Sequence, residues 1–294
     1  MPFITKLFEN SKIDIFQLIK QVVYLLLLIN FAIYVKNDLE IAAHTMSNGG
    51  SFLDWTAAFA TTIDESAWII LLILFELETY VMSDEPLSRT KSFLMHGARV
   101  VCYFSLAHTC YAYSIYVYEL SLVTPISAIS NLCQLIGTDL SYATNLLYTE
   151  LNSTNCLSLS TASEFFFIDA PENLIVTDAV GLVIEKQLAW VDLIEVLTWL
   201  LILVTIEMVV WLQDKGIASG GMMKSVNITK VFLYAVLWGA IFYWIYRDHW
   251  MFAWDEFVWI AGFMAIEMNV AEWRDEINEK NEAPEGTLTP LAKK

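Results

Sequence analysis

Long apolar runs bounded by charged or turn-forming residues set the pattern of this chain. Six of them, at about residues 15–36, 56–82, 93–119, 183–213, 230–248 and 251–274, are long enough to cross a hydrocarbon core of about 30 Å as helices. The run near the N-terminus is too long for the core of a cleaved leader, and the small residues Ala42 and Ala43 lie well beyond it, so it is expected to remain as a span.

Three of these runs share a second pattern. In 64–85, 192–214 and 255–275 an acidic residue stands four positions before a Trp, and a Glu follows that Trp by eight: Asp64, Trp68 and Glu76; Glu195, Trp199 and Glu207; Asp255, Trp259 and Glu267. The helix preceding each of them carries a basic residue followed four later by Tyr: Lys20 and Tyr24, Arg99 and Tyr103, Lys230 and Tyr234. The repeating unit is thus a two-helix hairpin, present three times.

At about 1.5 Å of rise per residue, Lys20 lies roughly 8 Å above the start of its span and Glu76 roughly 9 Å above the end of its own. The same arithmetic levels Arg99 with Glu207 and Lys230 with Glu267. Each hairpin can therefore pair its own charges, although pairing between hairpins fits the depths equally well. Left unpaired in hydrocarbon, such a charge is costly enough to mark a functional site or a missing partner. Two readings stand side by side: three salt bridges that hold helices in register, or a charged gate. The Tyr one turn on can donate to the same carboxylate.

The upper carboxylates Asp64, Glu65, Asp192, Glu195, Asp255 and Glu256 come before the most apolar part of their helices. That places them near the outer headgroups, with Trp68, Trp199, Trp254 and Trp259 as interfacial anchors. They are either a solvated rim or a negative vestibule that concentrates cations.

Composition agrees with the pattern. The chain has 294 residues, 57% hydrophobic and 17% charged, against a soluble average of about 25% charged. Its formal charge of −17 excludes a nucleic-acid partner, which needs a surplus of Lys and Arg, and leaves inorganic cations as the soluble counterpart. An inside N-terminus puts thirteen of the 16 Lys and Arg at the inner face, leaving Lys36, Lys186 and Arg247 outside. Both termini are therefore expected in the cytoplasm, with the chain in a plasma or bacterial inner membrane.

The expected fold is an all-α integral membrane protein of six transmembrane helices in three hairpin repeats. Residues 1–120 would hold three helices, 121–182 an acidic, partly helical extracytoplasmic cap, 183–277 three further helices, and 278–294 a disordered cytoplasmic tail. The cap segment contains no Lys or Arg. Cys133 and Cys156 both fall in it, where a disulfide persists, whereas Cys102 and Cys110 read as buried thiols. Asn152-Ser153-Thr154 is a glycosylation acceptor only in a host that glycosylates exported chains.

Cofactor chemistry finds no support. His96 and His108 share one helix, roughly 18 Å apart, too far to hold one metal between them, and His44 and His249 fall outside. A Glu76, Glu207 and Glu267 metal site competes with basic residues that repeat equally. No nucleophile, base and orienting group stand at recognisable spacing, so no catalytic residue is assigned and an enzyme is not expected. The prolines all fall outside the runs, which argues against the broken helices of many organic-substrate carriers.

Two functions from different classes remain. One is a cation channel or ion-translocating protein, with inner charges as a gate and outer carboxylates attracting the ion. The other is a non-catalytic scaffold or sensor subunit of a larger complex. Partners are the lipid bilayer, cations, and further copies of the chain or membrane-complex subunits.

Overall fold

The computed structural model describes residues 15–47, 49–77, 89–137, 139–170, 172–217 and 219–282. Seven helices carry most of it: α1 (Ile15–Thr45), α2 (Phe52–Ala58), α3 (Ala60–Glu76), α4 (Arg89–Leu122), α5 (Ala179–Asp214), α6 (Gly221–Tyr246) and α7 (Trp250–Glu282). Four of them, α1, α4, α5 and α6, are long and apolar enough to cross a membrane, and α2 with α3 makes a fifth if that pair, bent by 70°, counts as one span. The short helix α2 begins at a reciprocal cap, in which Ser51 Oγ accepts from Asp54 N and Asp54 accepts from Ser51 N.

The sixth expected span, α7, is continuous but falls short of the same apolarity, because Asp255, Glu256 and Glu267 interrupt it. It runs to Glu282, past residue 278 where the sequence places the start of a tail; the remainder of that tail lies outside the described residues. So do Lys6 and Lys12 of the charge-bias count.

The helices form a closed ring in which α1 packs on α3 and α7, α4 on α3 and α5, and α6 on α5 and α7. Their outer faces leave Leu25, Leu28, Val101, Phe104, Leu201, Val231 and Phe232 exposed. Water would penalise so much contiguous apolar surface; lipid does not. Inside the ring, one continuous core contains Leu27, Leu71, Leu106, Ile202, Leu237, Phe263 and Ile266.

The expectation of an all-α chain holds for the ring but fails for the insert. Instead of a partly helical cap, the segment between α4 and α5 builds a four-stranded sheet in the order β2-β1-β4-β3, with β1 (Ser141–Thr144), β2 (Leu147–Glu150), β3 (Phe165–Phe167) and β4 (Ile175–Asp178). β1 pairs antiparallel with β2 and parallel with β4, and β3 pairs antiparallel with β4. Short β-branched and aromatic runs, SYAT, FFF and IVTD, favour strands once both their faces are covered. Here Leu132, Tyr142, Leu151, Phe165 and Val176 fill one side, while Ala143, Phe166 and Ile175 pack toward Leu120, Leu182 and Ala189 of α4 and α5 on the other.

Cys133 and Cys156 are joined by a disulfide that ties the 3-10 turn Leu132–Leu135 to the loop after β2. Of the other two cysteines, Cys102 is buried and Cys110 half-buried, and both are free thiols. Residues 176–178 belong to β4, and α5 begins at Ala179, ahead of the apolar run that starts at 183, with Asp178 as its cap, accepting from Gly181 N at 2.8 Å.

Candidate functional site

The sheet matters to the site through its β1–β2 turn. Asn145 and Leu146 both take positive φ, 54° and 60°, and this tight reversal drives the hairpin tip into the ring, where Leu146 N donates to Glu185 and Asn145 Nδ2 to the carbonyl of Arg247. At the base of the sheet, Ser141 meets the ring of His44 at the end of α1, which stacks on Tyr148. Sheet and helix ends together line a cavity of about 700 Å³.

All six upper carboxylates named from the sequence, Asp64, Glu65, Asp192, Glu195, Asp255 and Glu256, line this one chamber. Asp38, Glu40 and Asp248 join them, and no Lys or Arg is among the described lining residues. The solvated-rim alternative fails for three of the six: Glu65 is 7% exposed, Asp255 5% and Glu256 9%.

What holds these groups is a set of neutral donors. Trp259 Nε1 donates to both oxygens of Glu65 at 3.1 Å, Trp199 Nε1 to Glu256 at 3.1 and 3.2 Å, and Trp244 Nε1 to Glu195 at 2.7 Å. Asn30 Nδ2 donates to Asp255 at 2.6 Å, and Thr62 donates to Asp38 through both its backbone N–H and its hydroxyl. Asp64 Oδ1 and His249 Nε2 are buried without a hydrogen-bond partner among the described residues.

Trp68, Trp199 and Trp259 are therefore not the interfacial anchors that their place in the sequence implied. All three are buried in the centre of the ring, with Trp68 6.0 Å from Trp199 and 6.5 Å from Trp259, and Phe263 packed against each of them. The cause is helical: a residue four after an inward carboxylate shares its face. Trp254, one residue before the Asp255 that faces the chamber, is 43% exposed, as an anchor would be.

These aromatics form the floor of the chamber. Beyond it, toward the other end of the helices, Leu71, Leu72, Phe75, Ile202, Leu203, Ile206 and Ile266 close the centre with apolar side chains. Only past that plug do the inner charges come.

There the structure selects pairing within hairpins. Lys20 Nζ meets Glu76 Oε1, and Tyr24 donates to Glu76 Oε2 at 3.1 Å. Arg99 lies 3.8 Å from Glu207, which accepts from Tyr103 at 2.5 Å, and Lys230 donates to Glu267 at 2.8 Å, joined by Tyr234 at 2.9 Å. All three Tyr thus donate where the repeat placed them. Arg99 also sits over the ring of Phe75, 5.0 Å from its centre, which ties one hairpin to the next.

Sequence reasoning missed Asn30, Asp38, Tyr34, Trp244 and His249. A lone amide in the apolar run VVYLLLLINFAIYV was the signal for Asn30; nothing in the local pattern marked Trp244 or His249, which reach the chamber only because α6 and α7 meet there. His108 is half-buried, and its Nε2 is unpartnered among the described residues.

Chemically, the chamber offers carboxyl groups beside aromatic faces. Among the described residues no group of three or more His, Cys, Asp or Glu side chains is placed to hold a metal ion. No family model matches this chain, and no curated protein or solved structure shows significant similarity to it.

Proposed function

We propose that the chain is a multi-pass membrane protein that draws cations into the carboxylate-lined chamber and passes them across the bilayer when the layer of Trp68, Trp199 and Trp259 opens. On this view all six long helices span the membrane as three hairpins, the sheet is an extracytoplasmic cap over the chamber, and both termini lie inside. Convergence of six carboxylates from α3, α5 and α7 on one cavity, with no basic residue among its described lining, supports the cation assignment. The closed aromatic floor would then be the shut state of the gate, and the inner Lys/Arg–Glu pairs the struts that hold each hairpin together.

One observation favours the second function. Each inner Glu is matched to a cation of its own hairpin and apolar side chains close the centre of the ring, an arrangement that suits a cation sensor or scaffold subunit that binds without conducting. Flux into proteoliposomes separates the two. Translocation requires uptake of a cation, tested with K⁺, Na⁺, Ca²⁺ and amines, that falls about tenfold in Asp255→Asn, the loss expected when one charge-assisted contact is removed. Binding to the purified protein with no uptake of any of them leaves the sensor.

A further inference from the structure

Resting on that cation reading, we infer that the ligand of the chamber is an organic polycation: a linear amine with two or more ammonium groups joined by methylene segments. The cavity of about 700 Å³ falls within the range of small-molecule sites and far exceeds what one inorganic ion fills. Its carboxylates share the cavity without meeting at one metal-sized point. A hard cation such as Ca²⁺ gathers six to eight oxygens at about 2.3–2.6 Å, whereas no described cluster of even three acidic side chains is placed to hold a metal. Charge distributed around a chamber matches charge distributed along a ligand.

The walls supply the other half of the recognition. Trp68, Trp199, Trp244, Trp259, Tyr34 and Phe252 line the same cavity as the carboxylates. Indole and phenyl faces attract ammonium groups through the ring quadrupole, and they cover methylene segments that a bare ion lacks. Glu65, Glu195 and Glu256 are oriented by indole N–H groups, and because each carboxylate has about four acceptor positions, capacity remains for an ammonium.

An independent sign of a missing donor comes from Asp64. Asp64 lines the chamber, and its Oδ1 is buried without a hydrogen-bond partner among the described residues. A buried carboxylate oxygen left so costs free energy, and a donor arriving with a ligand removes that cost. An ammonium, with three N–H donors, is such a group.

The test uses the full chain in lipid nanodiscs at constant ionic strength, titrated with spermidine, putrescine, tetramethylammonium, Na⁺ and Ca²⁺, and read by calorimetry and by Trp fluorescence. Spermidine is expected to bind at least about tenfold more tightly than Ca²⁺ or tetramethylammonium, and to change the Trp emission. Asp64→Asn, isosteric with the native side chain, is expected to weaken spermidine about tenfold while the protein still unfolds cooperatively. Glu65→Gln, which keeps an acceptor for Trp259, provides a second variant should the first fail to fold.

Spermidine binding no tighter than Ca²⁺, or unchanged in both variants, overturns the inference. Uptake of inorganic cations without spermidine binding overturns it while leaving the translocation reading intact. Spermidine binding without uptake supports it and turns the protein into a sensor. If no cation binds and none is taken up, both fall.

Discussion

Trp259 on α7 donates its indole N–H to both carboxylate oxygens of Glu65 on α3, 194 residues away in sequence, at 3.1 Å each. Both side chains are buried, at 4% and 7% exposure. A carboxylate in such a place is tolerable only with donors on it.

Removing that donor should therefore cost more than its area. Trp259→Phe keeps the ring that packs on Trp68 and Phe263 but leaves Glu65 short of a hydrogen bond, an expected loss of about 1–3 kcal/mol. Trp254→Phe, in the same helix but 43% exposed, is the control and should change stability by less than about 0.5 kcal/mol. Equal thermal unfolding of the two variants in detergent would show that the indole N–H contributes nothing.

The inner pairs predict non-additivity. Lys20 and Glu76 have side chains only 7% and 18% exposed. Lys20→Met leaves Glu76 with Tyr24 alone among the partners described above and should cost on the order of 3 kcal/mol, whereas Lys20→Met with Glu76→Leu should recover most of it. If the double variant is as unstable as the sum of the singles, the pair is not a unit.

The insert should have a stability optimum in mildly acidic solution. Burial raises the Asp169 carboxyl to about 6, even though it accepts N–H bonds from Ile175 and Leu174. The folded insert thus binds this proton more tightly than the unfolded chain, whose ordinary value is 3.8, so stability is gained as pH falls through about 6 and levels off near 4.

Asp178 acts in the opposite sense. Burial alone would raise it, but hydrogen bonds from Gly181 N, Ser160 and Tyr142 outweigh that and hold it below its ordinary 3.8. Its contribution is complete above roughly pH 4 and is lost as pH falls through the depressed folded value. Amide exchange at Leu174 and Ile175, corrected for intrinsic rates, should show greatest protection near pH 4 and less at pH 6 and above. Asp169→Asn should abolish the decline between about pH 4 and 6; an unchanged profile refutes the assignment.

Where β4 turns into α5, Gly181 has no room for a side chain. A Cβ there would stand 2.0 Å from Thr177 Oγ1, a hydroxyl already committed to the carbonyl of Ala143. Gly181→Ala is expected to destabilise the insert by about 1–3 kcal/mol, and Thr177→Ala in the same chain to restore part of it, because the contacts that remain, Thr177 Cβ at 3.4 Å and Ala143 O at 3.5 Å, are ordinary. Melting of the insert followed by amide exchange checks both; no effect of the first substitution would mean that the junction relaxes freely.

The repeats made much of the ring legible in advance. Hydrophobic run length, the basic residue followed by Tyr, and the acidic–Trp–Glu spacing are local properties, because helical geometry fixes which residues share a face and at what depth. From them came the helices, the level of the inner charges, and the acidic residues that would face together. The pairing of Cys133 with Cys156 followed from there being no other candidates in the insert.

Three things were decided only by the tertiary structure. Whether Lys20, Arg99 and Lys230 pair within or between hairpins is degenerate in depth, and packing of α1 on α3, α4 on α5 and α6 on α7 resolves it. Whether SYAT, FFF and IVTD become strands depends on both sheet faces being covered, which short runs cannot announce. And Trp68, Trp199 and Trp259 look the same in sequence as interfacial anchors. Only the meeting of three helices at one centre turns them inward, where their N–H groups satisfy buried carboxylates and their rings close the floor of the chamber.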